Sequence, residues 1–335
     1  MTDAPLSRRS MLLGVSRTAL AGAFGVTGLI GLSSCSGRRQ SASTIPAEGG
    51  IGGTGIVGTV LASTPNTLSV NGFALSITDE TQLFDAFGER PFNSLKPGHS
   101  VTVVATRRGD SLFAHRIGLT QPVIGRVGAV DTRDNSFTLL GARVVQAAQA
   151  GSLPELGQRV AVSGLWRGSD VVASLVEPLN DDGLSVAAGS VAQTGDSKTR
   201  VGSVLATLPI GASAPEPGSF VTVTGTEGPG GIEPRDIELG RFVGDIPAFD
   251  SLSVEGYLEP VDAAPGYTVS GLGHSFDNDA KLRGLPEQRM LFVGPYRGTF
   301  MVSHGKPLPE TAAGRRTVLA ALGDPLQPTA AFPTR

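Results

Sequence analysis

The chain has 335 residues, of which 40% are apolar, 17% charged and 5% aromatic, with 46 glycines, 23 prolines, one cysteine and a formal net charge of −3. So much apolar content with so little net charge excludes an intrinsically disordered chain, and the abundance of glycine excludes a helical bundle. The slight acidity excludes the basic footprint of a nucleic-acid binder, and short apolar runs broken by Gly, Pro, Asn and Asp predict an all-β protein.

Residues 1–34 read as a signal peptide containing a signal helix. Arg8 and Arg9 stand in "SRRSMLL", a polar residue and paired arginines before apolar residues, which resembles a twin-arginine export signal. The run "TALAGAFGVTGLIGL" (18–32) behind it is too short and too rich in Gly and Ala for a permanent anchor, which needs about 20 apolar residues. Leu32, Ser33, Ser34 and Cys35 then resemble a lipobox. Small residues let the extended chain enter a signal peptidase, and the Cys35 thiol accepts a diacylglyceryl group. Two or three acyl chains give stable anchoring where one does not. The expected partner of the N-terminus is therefore the membrane, through acylated Cys35. Ser36, in place of aspartate, resembles an outer-membrane sorting signal. The expected location is extracytoplasmic, on the periplasmic side and at the outer rather than the inner membrane. Residues 35–53, polar and glycine-rich, form a flexible lipidated tether.

The rest of the chain repeats itself. Gly-x-apolar openings occur at Gly58, Gly125, Gly189 and Gly256, spaced by 67, 64 and 67 residues. In the first unit Asn71-Gly72 separates two alternating runs, a strong hairpin signal. A second alternation follows a turn in each unit. Val101 and Val103, Val160 and Val162, and Val221 and Val223 recur at period two, so one face of each strand is buried. The endings are "AHRIGL", "ASLVEPL" and "PRDIEL". Unit boundaries fall at 54–120, 121–180, 184–243 and 250–309. The fourth unit is diverged, and 310–335 holds a short helix (311–322) and a disordered tail.

These openings, hairpins, Leu-x-x-Gly-type strands and Ala-x-x-Ile-type endings resemble the bacterial family known as domain of unknown function 5666. The resemblance runs over about 55–309 and is strongest in the first two units. It implies an exported protein, often a lipoprotein, built of tandem units, and it carries over no catalytic residue. About five strands in some 60 residues suffice for a small closed barrel. The expected fold is therefore four tandem OB-like β-barrels, with a sandwich-like sheet shared between units as the alternative. Units this small are marginal alone, so neighbours should pack together.

Chemistry-bearing motifs are sparse. "GTGIVG" (53–58) mimics a dinucleotide-binding loop but leads from a tether into a strand, which excludes that reading. His274, Asp277, Asp279 and His304 are weak candidates for a metal site. The calcium-loop start at Asp277-Asn278-Asp279 meets Gln288 where an acidic residue is required. No cofactor, metal or nucleic-acid partner is expected, and no enzyme activity. Trp166, Tyr257, Tyr267 and Tyr296 are candidates for a recognition surface, since aromatic rings in a barrel groove stack on ligands; the alternative is plain core packing. The expected function is a non-enzymatic binding or scaffold module with an envelope protein or glycan partner. The alternatives are a passive spacer, or an enzyme with a site between units.

Overall fold

The structure, a computed structural model, describes residues 53–147, 151–180, 183–194, 197–208, 213–242, 249–260, 267–269, 288–296, 300–309 and 311–321. Arg8, Arg9, the Leu32–Cys35 lipobox, His274, Asp277 and Asp279 lie outside these residues.

The first unit contains β1 (Thr54–Thr64), β2 (Thr67–Val70), β3 (Phe73–Ser76), a small hairpin of β4 (Gln82–Asp85) and β5 (Gly88–Arg90), then β6 (Ser100–Arg108) and β7 (Ser111–Leu119). β1 pairs with β2, β2 with β3, β6 with β7 and β6 with β1, all antiparallel, and β3 pairs with β7 in parallel. The five strands thus form a closed, barrel-like circuit. A bulge between Val60 and Ala62 bends β1 so that it serves β6 with one half and β2 with the other. Alternation fills the interior. Val101, Val103 and Ala105 are 1% exposed or less, as are Leu68, Val70, Leu75 and Ile117.

The same circuit occurs twice more. The second consists of β8 (Val123–Asp131), β9 (Ser136–Leu139), β10 (Ala142–Gln146), β11 (Arg159–Arg167) and β12 (Asp170–Pro178). The third consists of β13 (Ser185–Thr194), β14 (Lys198–Val201), β15 (Val204–Thr207), β16 (Phe220–Gly228) and β17 (Gly231–Leu239). Each closes through a parallel pair, β10 with β12 and β15 with β17. Gly58 stands opposite Val101, Gly125 opposite Val160 and Gly189 opposite Val221, one shared register for the repeated glycine.

That glycine has a steric reason. A Cβ at Gly58 would lie 1.8 Å from Asn71 Oδ1, because Asn71 (φ 55°) folds its side chain under β1 and donates to the Val57 carbonyl at 2.8 Å. In the second circuit Leu140 (φ 51°) occupies the equivalent hairpin position and packs over Gly125.

The fourth segment differs. It contains β18 (Phe249–Gly256), β19 (Leu258–Pro260), β20 (Tyr267–Val269), β21 (Met290–Tyr296) and β22 (His304–Pro307). β18 pairs with β21, β21 with β22 and β19 with β20, and no circuit closes among the described residues. Four closed barrels were expected; the described residues form three. β18 instead adds in parallel to β1, Thr54–Val57 facing Ser251–Val254. In the other pair of units β8 meets β13 antiparallel through Ile124 and Val186. Strand edges that would invite pairing with other chains are thereby covered within the chain.

The C-terminal helix α1 (Ala312–Ala321) starts after Thr311, whose Oγ1 accepts from the Gly314 N–H at 3.1 Å, an N-cap. Its Leu319, with Leu291, Val293 and Leu308 of the fourth segment, joins the core of the first barrel.

Candidate functional site

A groove runs where the three barrels meet. One wall is the β4–β5 hairpin. β4 is rooted by parallel pairing with β7 and by Leu83, which is 2% exposed. Its tip is set by Asp85, whose Oδ1 accepts from the Phe87 N–H at 2.8 Å. Ala86 packs against a small apolar cluster of Ile124, Ala161, Val186, Ala188 and Phe220, drawn from the second and third circuits. The hairpin therefore lies across their junction. The opposite wall follows the end of β17. Gly240 turns the chain with φ 96°, and Arg241 lays its guanidinium 4.9 Å from the Phe220 ring centroid. Burial lowers the Arg241 pKa to about 10.

The groove has three chambers. The central one, about 580 Å³, lies between Phe84 and Phe87 on one side and Leu239 and Phe242 on the other, over Phe220 and Ala188. A second, about 350 Å³, continues past Phe87 and Gln121 towards His99, Arg159 and Glu177. A third, about 610 Å³, shares Leu239, Arg241 and Phe242 with the first and reaches Pro215 and Tyr296.

His99 in the second chamber is buried, and both of its nitrogens are engaged. Nδ1 accepts from the Lys96 N–H at 3.1 Å, so in the neutral ring Nε2 carries the proton and donates it to Glu177 Oε2 at 2.7 Å. Neither nitrogen is open for proton transfer to a ligand. The pair joins the first barrel to the second, together with Lys96 Nζ at 2.7 Å from Glu177 Oε1 and Ser174 Oγ donating to the Gly98 carbonyl at 2.6 Å. The His99 hydrogen bond holds the Glu177 carboxyl at about pH 2, helped by Lys96 and opposed by burial.

A carboxyl lowered by folding stabilises the native state above its unfolded value, near 4.5, and that contribution disappears as the pH falls towards about 2. Glu177→Gln should therefore destabilise the protein at pH 7 and flatten the loss of stability between these values. Urea midpoints of both proteins at pH 7, 4 and 2.5 measure this.

The recognition candidates separate. Trp166 is 7% exposed and wedged between the second and third barrels, with Nε1 donating to the Ala188 carbonyl at 2.8 Å. Tyr257 is 5% exposed and lies under the Arg167 guanidinium, 6.0 Å from its ring centroid. Neither presents a surface, so core packing is the reading that fits these two. Tyr267 lies on β20 and its side chain falls outside the described residues. Tyr296 reaches the groove, beside Phe249 at 6.1 Å. His304 opens β22 on the surface, and no group of three or more His, Cys, Asp or Glu side chains converges among the described residues. The groove residues Phe84, Phe87, Gln121, Phe220 and Leu239 escape sequence reading. The one available signal is an exposed-type turn, "DAFG", that carries a phenylalanine.

A family model described as "Domain of unknown function (DUF5666)" matches residues 57–118, the span of the first closed circuit. The resemblance expected over 55–309 is thus matched in the first unit. No curated protein and no solved structure matches the chain.

Proposed function

We propose that the protein is exported, is anchored to a bacterial envelope membrane through acylated Cys35, and acts there as a non-enzymatic binding module whose ligand occupies the inter-barrel groove. The observation that carries this reading is where apolar surface remains. Four large apolar side chains are exposed among the described residues, and two of them, Phe87 (50%) and Leu239 (71%), stand on opposite lips of the same groove. Exposed apolar residues facing each other across a concave surface mark a binding site.

The order β1-β2-β3-β7-β6, closed through a parallel pair, supports an OB-like reading of each circuit. Such barrels bind chains on the outer face of their second and third strands. Here that face carries small or polar residues in the first unit, Thr67, Ser69, Ala74 and Ser76, and no aromatic ring. The equivalent positions are Thr138, Arg143 and Val145 in the second unit, and Lys198, Arg200, Leu205 and Thr207 in the third. Recognition is better served by the groove between barrels than by the barrels' own faces.

Two measurements test the reading. Cys35→Ala should release the protein from the membrane fraction and abolish fatty-acid labelling; a variant still bound and labelled contradicts the anchor. The Phe87→Asp, Leu239→Asp double variant should lose any saturable partner in solubilised envelope while keeping its unfolding midpoint. Absence of a saturable partner for the unaltered protein supports the passive-spacer alternative.

A further inference from the structure

We infer that the described body is two rigid halves joined by a hinge at Gln121 and closed by a polar latch around Glu177. The first half is the first barrel with the fourth segment and α1; the second half is the second and third barrels. Each half is continuous within itself. β1 pairs with β18 in one and β8 with β13 in the other. Leu291 and Leu319 complete the core of the first barrel, and the second and third barrels share one core around Trp166. Among the described residues no strand ladder joins the halves: the strands of the first form one ten-stranded sheet and those of the second another.

What spans the divide is mostly polar and comes from one turn of the first barrel. Lys96 Nζ and His99 Nε2 meet the two oxygens of Glu177, Ser174 Oγ donates to the Gly98 carbonyl, and Ser100 Oγ donates to the Gly164 carbonyl at 3.1 Å. Gly98 lets the turn approach, since a Cβ there would lie 3.0 Å from the Ser174 carbonyl oxygen. The apolar contacts are small. Ala86 touches the cluster around Phe220, Tyr257 lies under Arg167, and Phe242 meets Phe249 with ring centroids 4.8 Å apart. Neighbouring bodies move relative to one another unless their interface is large and apolar.

The first crossing of the chain supplies the pivot. The Thr120 N–H donates to the Ser100 carbonyl at 2.8 Å, inside the first half, and the Pro122 carbonyl accepts from the Ala188 N–H at 2.9 Å, inside the second. Gln121 stands between these two anchors. Its place before a proline favours extended backbone, and the ring fixes φ at Pro122, so the swing is restricted. Phe84 and Phe87 belong to the first half and Leu239 to the second, so the swing sets the width of the groove between them. The hinge does not depend on what the groove binds.

The test is double electron–electron resonance on the full chain carrying Cys35→Ala. Cysteines replace Thr67, Arg133 and Lys198, all exposed, two at a time, and carry spin labels. Two distances cross the hinge, from Thr67 to Arg133 and to Lys198; the third, Arg133 to Lys198, lies inside the second half. All three should be narrowly distributed while the latch is intact. Glu177→Ala with Ser174→Ala should add to the cross-hinge pairs a population displaced by more than about 2 Å, the scale of a domain rearrangement, and leave the third pair unchanged. Glu177→Gln, which keeps the shape of the side chain, should do the same in smaller proportion, and Trp166 emission checks that each variant is folded. Adding Pro122→Gly should broaden the displaced population; an unchanged width overturns Gln121 as the pivot. Cross-hinge distances unaltered in both Glu177 variants overturn the hinge, and a displaced third pair overturns the rigid second half.

Discussion

Glu255→Ala should lower the unfolding free energy by about 3–5 kcal/mol, among the largest effects of any single substitution. Glu255 on β18 is 0% exposed. Its Oε1 lies 2.6 Å from Arg289 Nε and accepts from Arg315 Nη1 at 2.9 Å, and its Oε2 accepts from the Thr59 N–H at 2.7 Å. Arg289 Nη2 also donates to Thr59 Oγ1 at 2.7 Å. One carboxylate therefore ties together the first barrel through β1, the fourth segment through β18 and the residue preceding β21, and helix α1. Burial alone would raise its pKa; the charges of Arg289 and Arg315 and the Thr59 N–H outweigh this, and the carboxyl titrates below its ordinary range.

Removing the carboxylate leaves two guanidinium groups without their counter-charge in a site where water cannot compensate them. A helix of ten residues has little stability of its own, so α1 should lose its amide-exchange protection before the barrels unfold. Denaturant unfolding and hydrogen exchange measure the two effects. Replacing all three charged residues together, with Glu255→Leu, Arg289→Met and Arg315→Leu, should recover most of the loss, since the cost lies in the unpaired charge. A single Glu255→Ala variant with an unchanged midpoint would show that the triad does not hold these parts together.

The second large effect concerns Trp166, the only tryptophan in the chain. Trp166→Ala should cost about 3–5 kcal/mol, the range for deleting a buried aromatic ring. In the first two barrels the slot over the repeated glycine is filled from within, by Asn71 and by Leu140. In the third barrel the same hairpin position is Gly202 (φ +56°), which has no side chain to offer, and Trp166 enters from the second barrel instead. A Cβ at Gly202 would lie 2.6 Å from the indole ring, and one at Gly189 would lie 2.6 Å from Nε1. Gly202→Ala should therefore expel the ring, shift its blue-shifted emission to the red and uncouple the two barrels in unfolding. The two barrels share one continuous core that includes Trp166, so unaltered protein should unfold them in one transition.

These particulars show what could be read from the chain. The repeat was visible because its glycine is demanded by a local clash, one side chain under one strand, and because the buried valines of β6, β11 and β16 keep strict alternation. Asn71-Gly72 was visible because a two-residue turn leaves a local composition signal. The parallel closures leave none: Leu75 meets Leu112 across more than half a repeat of intervening strands and turns. The packing of Trp166 was illegible for a related reason: it depends on two glycines, Gly189 and Gly202, in the following unit. The groove was illegible because its walls come from residues 84–87 and 238–242, and its floor from Gln121, Ala188 and Phe220, which the barrel packing alone brings together.

The central claim is that this groove, and no other exposed apolar site of the described body, is where the protein meets its partner. In-cell photo-cross-linking tests it most directly, with benzoylphenylalanine replacing Phe87 or Leu239, and Leu156 or Met301 as exposed apolar controls (71% and 54% exposed) outside the groove. One discrete adduct is expected from both groove positions and none from the controls. Adducts from Leu156 or Met301 alone, or no adduct from Phe87 and Leu239, would contradict it.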